Sequence, residues 1–130
     1  MSTMTVTFPG GKRVDAEYGG FVVKTDQPPQ GGGEGSAPQP FDLFLASIGT
    51  CAGFYVLRFC RQRGIPIEGL KIRQRATANP STKLIERIDI ELELPPGFPE
   101  QYRDAAVRSA QLCAVKKHLE NPPRIEVRTV

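Results

Sequence analysis

Tryptophan is absent from the 130 residues, histidine occurs once, methionine twice and cysteine three times. Each shortage closes off a class of function. The single histidine, His118, has no cysteine or carboxylate at ligand spacing, and a zinc centre needs about four such ligands. Three cysteines cannot close a disulfide framework, because one is always left over, so a reducing, cytoplasmic setting is expected. Charge of one sign is also scarce. Seventeen Lys and Arg against fourteen Asp and Glu leave a net +3, too small and too evenly spread for a nucleic-acid or membrane-surface binder. Long hydrophobic runs are missing too: the longest uncharged stretch, Leu43 to Leu57, falls short of the ~20 residues of a membrane span. Residues 1–8 lack the charged start, apolar core and cleavage site of a targeting segment. The glycine run from Gly31 to Gly35 lacks the lysine and hydroxyl residue that end a phosphate loop, and no GxSxG element is present for a serine hydrolase. No metal and no cofactor are expected.

What is present describes one α+β domain over 1–130, on a prior of ~100–200 residues per domain. Met4, Val6 and Phe8 alternate with threonines, so the chain opens as a strand. Turns at Pro9–Lys12 and Gly19-Gly20 separate it from strands at Arg13–Tyr18 and Phe21–Asp26. Eight of the 25 glycines and prolines then crowd into residues 27–40, which read as a flexible internal loop. From about Phe41 to Arg63 the apolar residues cover most of a helical circumference, which predicts a buried central helix. Asp42 suits its first turn and Gly64 its end. Ala46, Gly49, Thr50 and Gly53 form a small-residue stripe that would admit a second helix, or merely relieve crowding.

A hairpin follows, Leu70–Ala76 against Arg87–Leu94, with its turn at Asn79–Thr82. Pairing Lys71 with Glu91 and Arg73 with Asp89 sets opposite charges across the ladder and predicts that register. Residues Pro99–Leu119 read as a second helix with Tyr102, Ala106, Ala110 and Cys113 on its buried stripe. Ile125–Val130 alternates as a last edge strand. The order βββ-α-ββ-α-β places helices on a mostly antiparallel sheet.

The thiols carry the chemistry that is left. Cys51 and Cys60, nine residues apart on one helix, face opposite ways. Cys51 borders the small-residue stripe and Cys113 lies on the stripe of the second helix, so their sulfurs meet if the helices cross there; otherwise each is a small buried hydrophobe. A reactive thiolate needs a positive partner, and Cys51 is too deep in its helix for the N-terminal dipole to supply it.

The stretch from Pro40 to Cys51, PFDLFLASIGTC, resembles the first-cysteine helix of the OsmC/Ohr family, and Gln111–Val115 resembles its second-cysteine segment. Ala114 stands where proline usually follows that cysteine. The resemblance covers nearly the whole chain. It implies an OsmC-like fold, an intertwined homodimer with a bent sheet and buried helices, and a peroxidase that reduces organic hydroperoxides to alcohols in oxidative-stress defence. It also implies that Cys51 is the peroxidatic thiolate and Cys113 the resolving thiol, with the disulfide reduced by a dithiol such as a lipoylated protein. Arg13 matches the family's thiolate-holding arginine by spacing; a solvated strand-end charge and an ordinary salt bridge are its alternatives. The acid that orients this arginine in the organic-hydroperoxide branch falls at Phe41, and Asp42 beside it is the candidate, or else only favours the helix dipole. Two other classes stand against the enzyme: a dimeric small-molecule binding protein with inert cysteines, and a redox sensor using the same disulfide. The expected partners are a second copy, a hydroperoxide and a dithiol, with neither nucleic acid nor membrane.

Overall fold

Paired glycines shape the start of the chain. The computed structural model describes residues 3–130, and its first three strands, β1 (Thr5–Gly10), β2 (Arg13–Tyr18) and β3 (Phe21–Thr25), form an antiparallel meander in that order. Gly19 and Gly20 both take positive φ, 52° and 82°, in the two-residue loop between the paired Tyr18 and Phe21. Positive φ at both central residues is the hairpin turn whose twist suits the flanking strands. The meander belongs to a first compact unit that ends at Ala46; a second runs from Ser47, the division falling inside one long helix.

The glycine- and proline-rich stretch is tied down rather than flexible. Asp26, 1% exposed, accepts hydrogen bonds from the Gln27 N–H (2.7 Å), the Ser36 N–H (3.0 Å) and the Ser36 hydroxyl (2.6 Å). Its own N–H donates to the Pro38 carbonyl at 3.1 Å, and a short 3-10 turn occupies Pro29–Gly31. A buried carboxylate with three donors satisfies the rule that buried charge must be hydrogen-bonded. The Ser36 donors, with those of Gln27, hold its pKa at about 2.

Helix α1 spans Pro40–Gln62. It ends as expected, with Gly64 at φ 63° and the Ile65 N–H returning to the Cys60 carbonyl at 2.9 Å, a left-handed stop that satisfies a terminal carbonyl. In the second unit Ala52, Val56, Phe59 and Cys60 pack with Ile65, Phe98, Ala106 and Ala110. The expected burial around most of the circumference does not occur: Phe41, Phe44 and Phe54 are exposed. By length and composition α1 is long enough to cross a membrane, which the uncharged run inside it understated; its packed face is that of a core helix. Gly49 and Gly53 do admit a close neighbour, but it is a strand. A Cβ at Gly49 would stand 2.7 Å from Gln74 Oε1, and one at Gly53 3.5 Å from Ile72 Cδ1.

That strand, β4 (Lys71–Ala78), pairs antiparallel with β5 (Ile85–Glu93). The register is Lys71↔Glu93, Arg73↔Glu91 and Arg75↔Asp89, two residues from the predicted one. The turn decides it: Asn79 Oδ1 accepts from the Ser81 and Thr82 N–H groups, Lys83 takes φ 64°, and the ladder shifts between Thr77 and Ala78. A shift of two keeps every side chain on its face. Opposite charges still meet, and the ion pairs run diagonally, Arg73–Glu93 at 3.2 Å and Arg75–Glu91 at 3.8 Å. Ile72, Ile90 and Leu92 line the core side.

The second helix is interrupted. A 3-10 turn at Glu100–Tyr102 leads into α2 (Arg103–Ala110), and α3 (Ala114–Glu120) starts afresh after a break. Residues 124–130 pair with no strand among the described residues, so the expected edge strand is absent; Ile125 and Val127 are fully exposed. An alternating sequence becomes a strand only when a ladder partner takes its N–H and C=O groups.

Candidate functional site

Cys113 occupies the break between α2 and α3, and that break makes the site. Had the helix run on, Cys113 would have been one more position on a buried stripe. Instead it takes φ −48° and ψ 126° as the N-cap of α3, its sulfur accepting the Lys116 N–H at 3.5 Å. The sulfur also lies 4.0 Å from the Ile48 carbonyl of α1, one helical turn before Cys51 and Ala52. The Cys113 thiol and the start of α3 lie close enough to Cys51 to bear on its ionisation. The two thiols that the sequence singled out thus lie near one another, on α1 and at the start of α3 within the second unit.

The two sulfurs are unequal. Burial raises the Cys51 pKa, but the Val115 N–H, the Cys113 thiol and the Ala114 N–H outweigh it, and the net shift is downward. Cys113 is 1% exposed and moves the other way: burial lifts it first, the hydrogen bond to Cys51 and the Cys51 charge lift it further, and the amides of Lys116 and Val115 offset only part. The two thiols titrate as one coupled pair. Hydrogen bonds to the charged form favour it, as a nearby cation would. Sequence reasoning missed these amides. Their signal was a slip in phase, since the stripe of Tyr102, Ala106 and Ala110 does not extend at helical spacing to half-buried Val115.

Cys60 lies in the core, completely buried, its thiol pushed up by burial with Arg63 opposing. Arg13 stands exposed on β2, its Nε donating to the Gly10 carbonyl at 3.3 Å. Asp42 is exposed in the first turn of α1. Both belong to the first unit. His118 is exposed, with Nδ1 2.7 Å from the Ala114 carbonyl. Among the described residues no group of three or more His, Cys, Asp or Glu could hold a metal.

Beside Cys113 a cavity of about 160 Å³ opens between Ile48, Ile88, Ile90 and Leu119, with Lys116 at its edge. Walls of this kind suit a small apolar group. The site thus joins a thiol of lowered pKa, a second thiol close by and an apolar hollow. That set can carry out nucleophilic attack by sulfur followed by disulfide closure.

A family model described as OsmC-like protein matches residues 33–128. No curated protein sequence matches the chain. Among solved structures, a Psychrobacter arcticus 273-4 protein named for osmotic stress induction and a detoxification response superposes with a TM-score of 0.75 at 23% identity, covering 90% of this chain and 87% of that one. An OsmC-like protein from Mycoplasma pneumoniae gives 0.72 at 14% identity, over 94% and 89%. An organic hydroperoxide resistance protein OsmC from Legionella pneumophila gives 0.56 at 20% identity, over 92% and 88%. At these identities the likeness is one of fold.

Proposed function

Because the chain belongs to the OsmC-like protein family, we propose that it is a thiol-dependent peroxidase that reduces organic hydroperoxides to alcohols in oxidative-stress defence. The observation that carries this reading is the nearness of Cys113, at the Ile48 carbonyl one turn before Cys51, to a Cys51 thiol whose pKa is lowered. The name of the Legionella neighbour, organic hydroperoxide resistance protein, points the same way.

The Cys51 thiolate attacks the distal peroxide oxygen. The O–O bond breaks, the alkoxide leaves and takes a proton to become the alcohol, and Cys51 becomes a sulfenic acid. Cys113 then attacks the Cys51 sulfur, water leaves and a Cys51–Cys113 disulfide forms. A dithiol, such as a lipoylated protein, returns both thiols by exchange and becomes a disulfide itself. The apolar hollow beside Cys113 suits an alkyl group. Arg13 is the proposed guanidinium holding thiolate and peroxide, and Asp42 the carboxylate that orients it. A homodimer in the cytoplasm is part of the same reading. Exposed Phe41, Phe44 and Phe54 on α1 support the dimer, and three free thiols support the reducing compartment.

The test is one equivalent of cumene hydroperoxide added to reduced protein, with thiol blocking and mass-spectrometric mapping. A rapid Cys51–Cys113 disulfide with Cys60 still a thiol is expected. Three unmodified thiols would refute peroxidase chemistry toward this class and favour the binding-protein reading.

A further inference from the structure

We propose that Cys51 and Cys113 together form a two-thiol site for trivalent organoarsenicals, the single carbon substituent on arsenic lodging in the apolar hollow beside Cys113. The site uses the thiols and the hollow but no peroxide chemistry, so it stands apart from the reading above.

Three features of the second unit converge on this ligand. The first is the nearness of two free thiols. Cys113 Sγ lies 4.0 Å from the Ile48 carbonyl, and Cys51 follows Ile48 by three residues, a spacing that makes the two neighbours on one face of α1. The second is the limit of the donor set. Cys60, nine residues further on, faces the opposite way roughly 13 Å along the axis and is completely enclosed in the core. Among the described residues no group of three or more His, Cys, Asp or Glu could hold an ion. A soft acceptor satisfied by two sulfurs is therefore matched, and ions that need three or four protein ligands are not.

The third feature is the hollow. Its volume of about 160 Å³ is below the ~300–1,000 Å³ of a pocket for a drug-sized molecule, so it takes one small group. Ile48, Ile88, Ile90 and Leu119 wall it together with Cys113, and Lys116 at its edge is engaged by Glu120 at 3.0 Å. Such walls favour carbon over a hydroxyl, which they leave without a hydrogen-bond partner.

Trivalent arsenic fits this set, with two bonds to sulfur and the third kept to carbon. The half-buried Cys51 sulfur displaces one hydroxide from R–As(OH)2, and Cys113 displaces the second. Two As–O bonds break, two As–S bonds form, and the two thiol protons leave with the hydroxides as water. Neither arsenic nor sulfur changes oxidation state, so no oxidant or reductant enters. Because the fold holds both thiols, the second bond is intramolecular, which raises affinity by about 10²–10⁴ over one thiol.

The test titrates phenylarsine oxide, which hydrates in water to this form, into protein kept reduced by a phosphine. Native mass spectrometry should find one phenylarsenic per chain, and arsenic K-edge absorption should count two sulfur neighbours and one carbon. One sulfur, or three, would overturn the proposal in the unaltered protein. Competition with dithiothreitol then ranks affinities. Cys51→Ser and Cys113→Ser should each weaken binding by about 10²-fold or more, and Cys60→Ser should bind like the parent. Serine is a favoured N-cap, so Cys113→Ser keeps the start of α3; equal binding by that variant would overturn the pair. Measured against dithiothreitol, the protein should hold phenylarsine oxide about tenfold better than it holds arsenite. No such preference would overturn the place given to the substituent. A chain inert to hydroperoxides would still bind the arsenical, and a working peroxidase that fails to bind it refutes only this proposal.

Discussion

Val56→Ala should cost the second unit about 2–3 kcal/mol. Val56 is 0% exposed and sits inside the cluster that joins α1 to Phe98 and Ala106. Two carbons are lost, at ~0.8 kcal/mol each, for about 1.6 kcal/mol of transfer free energy. A residual cavity of a few tens of Å³, at ~24 cal/mol per Å³, adds about 1 kcal/mol. Urea unfolding at fixed protein concentration, with slopes of ~1–3 kcal/mol per M, would show the midpoint falling by about 1–2 M. Val56→Thr separates volume from polarity: it retains the shape and inserts a hydroxyl, which a helix lets bond back to the carbonyl one turn earlier. It should lose less than Val56→Ala. A cost below about 1 kcal/mol for Val56→Ala would refute the claim that tight apolar packing on this face holds the unit, and a larger loss for Val56→Thr would show that its hydroxyl finds no carbonyl to bond. Cys51 labelling in either folded variant should match the parent, because Val56 packs in a core cluster of which Cys51 is not a member.

The loop after β3 yields two further predictions. Asp26 has its folded pKa lowered to about 2 from ~3.9 in an unfolded chain, so its contribution is complete above about pH 4 and is lost as pH falls toward 2. The gap in thermal midpoint between the parent and Asp26→Asn should narrow across that window, and a gap constant down to pH 2 would contradict it. At Gly33 a Cβ would lie 2.0 Å from the Gln27 carbonyl oxygen, whereas at Gly31 the nearest atom is 3.5 Å away. Gly33→Ala should cost about 1–3 kcal/mol by overpacking and Gly31→Ala next to nothing; equal thermal midpoints for the two would show that the loop backbone is not held as described.

Local patterns were legible in the sequence where a short-range rule governs them. The meander follows from alternating residues and paired glycines, and the stop of α1 from Gly64. The hairpin followed from period-two alternation, but its register did not, since charge complementarity is served equally two residues away and only the Asn79 turn chooses. The break at Cys113 was hidden because an apolar stripe across it mimics one helix. The amides at the start of α3 were missed because side chains can be read from a sequence and amide directions cannot. For the same reason Asp26 passed unnoticed, as nothing in QPPQGGGEGSAPQP announces which carboxylate will gather its N–H groups. The last residues carry a strand's alternation, yet a strand exists only with a partner.

The position of Cys60 turns the chain into an instrument for measuring itself. Its sulfur is completely enclosed in the core and its thiol held above the usual pKa, so a labelling reagent reaches it only when the second unit opens. Its labelling rate then reports the population of the open state whenever reclosing is faster than reaction. Cys51, half-buried and lower in pKa, reacts from the closed state. One reaction with one reagent thus runs two clocks in the same molecule, the first keeping the time of global opening and the second that of local chemistry. Any substitution that slows or hastens Cys51 can be sorted by whether the Cys60 clock moves with it.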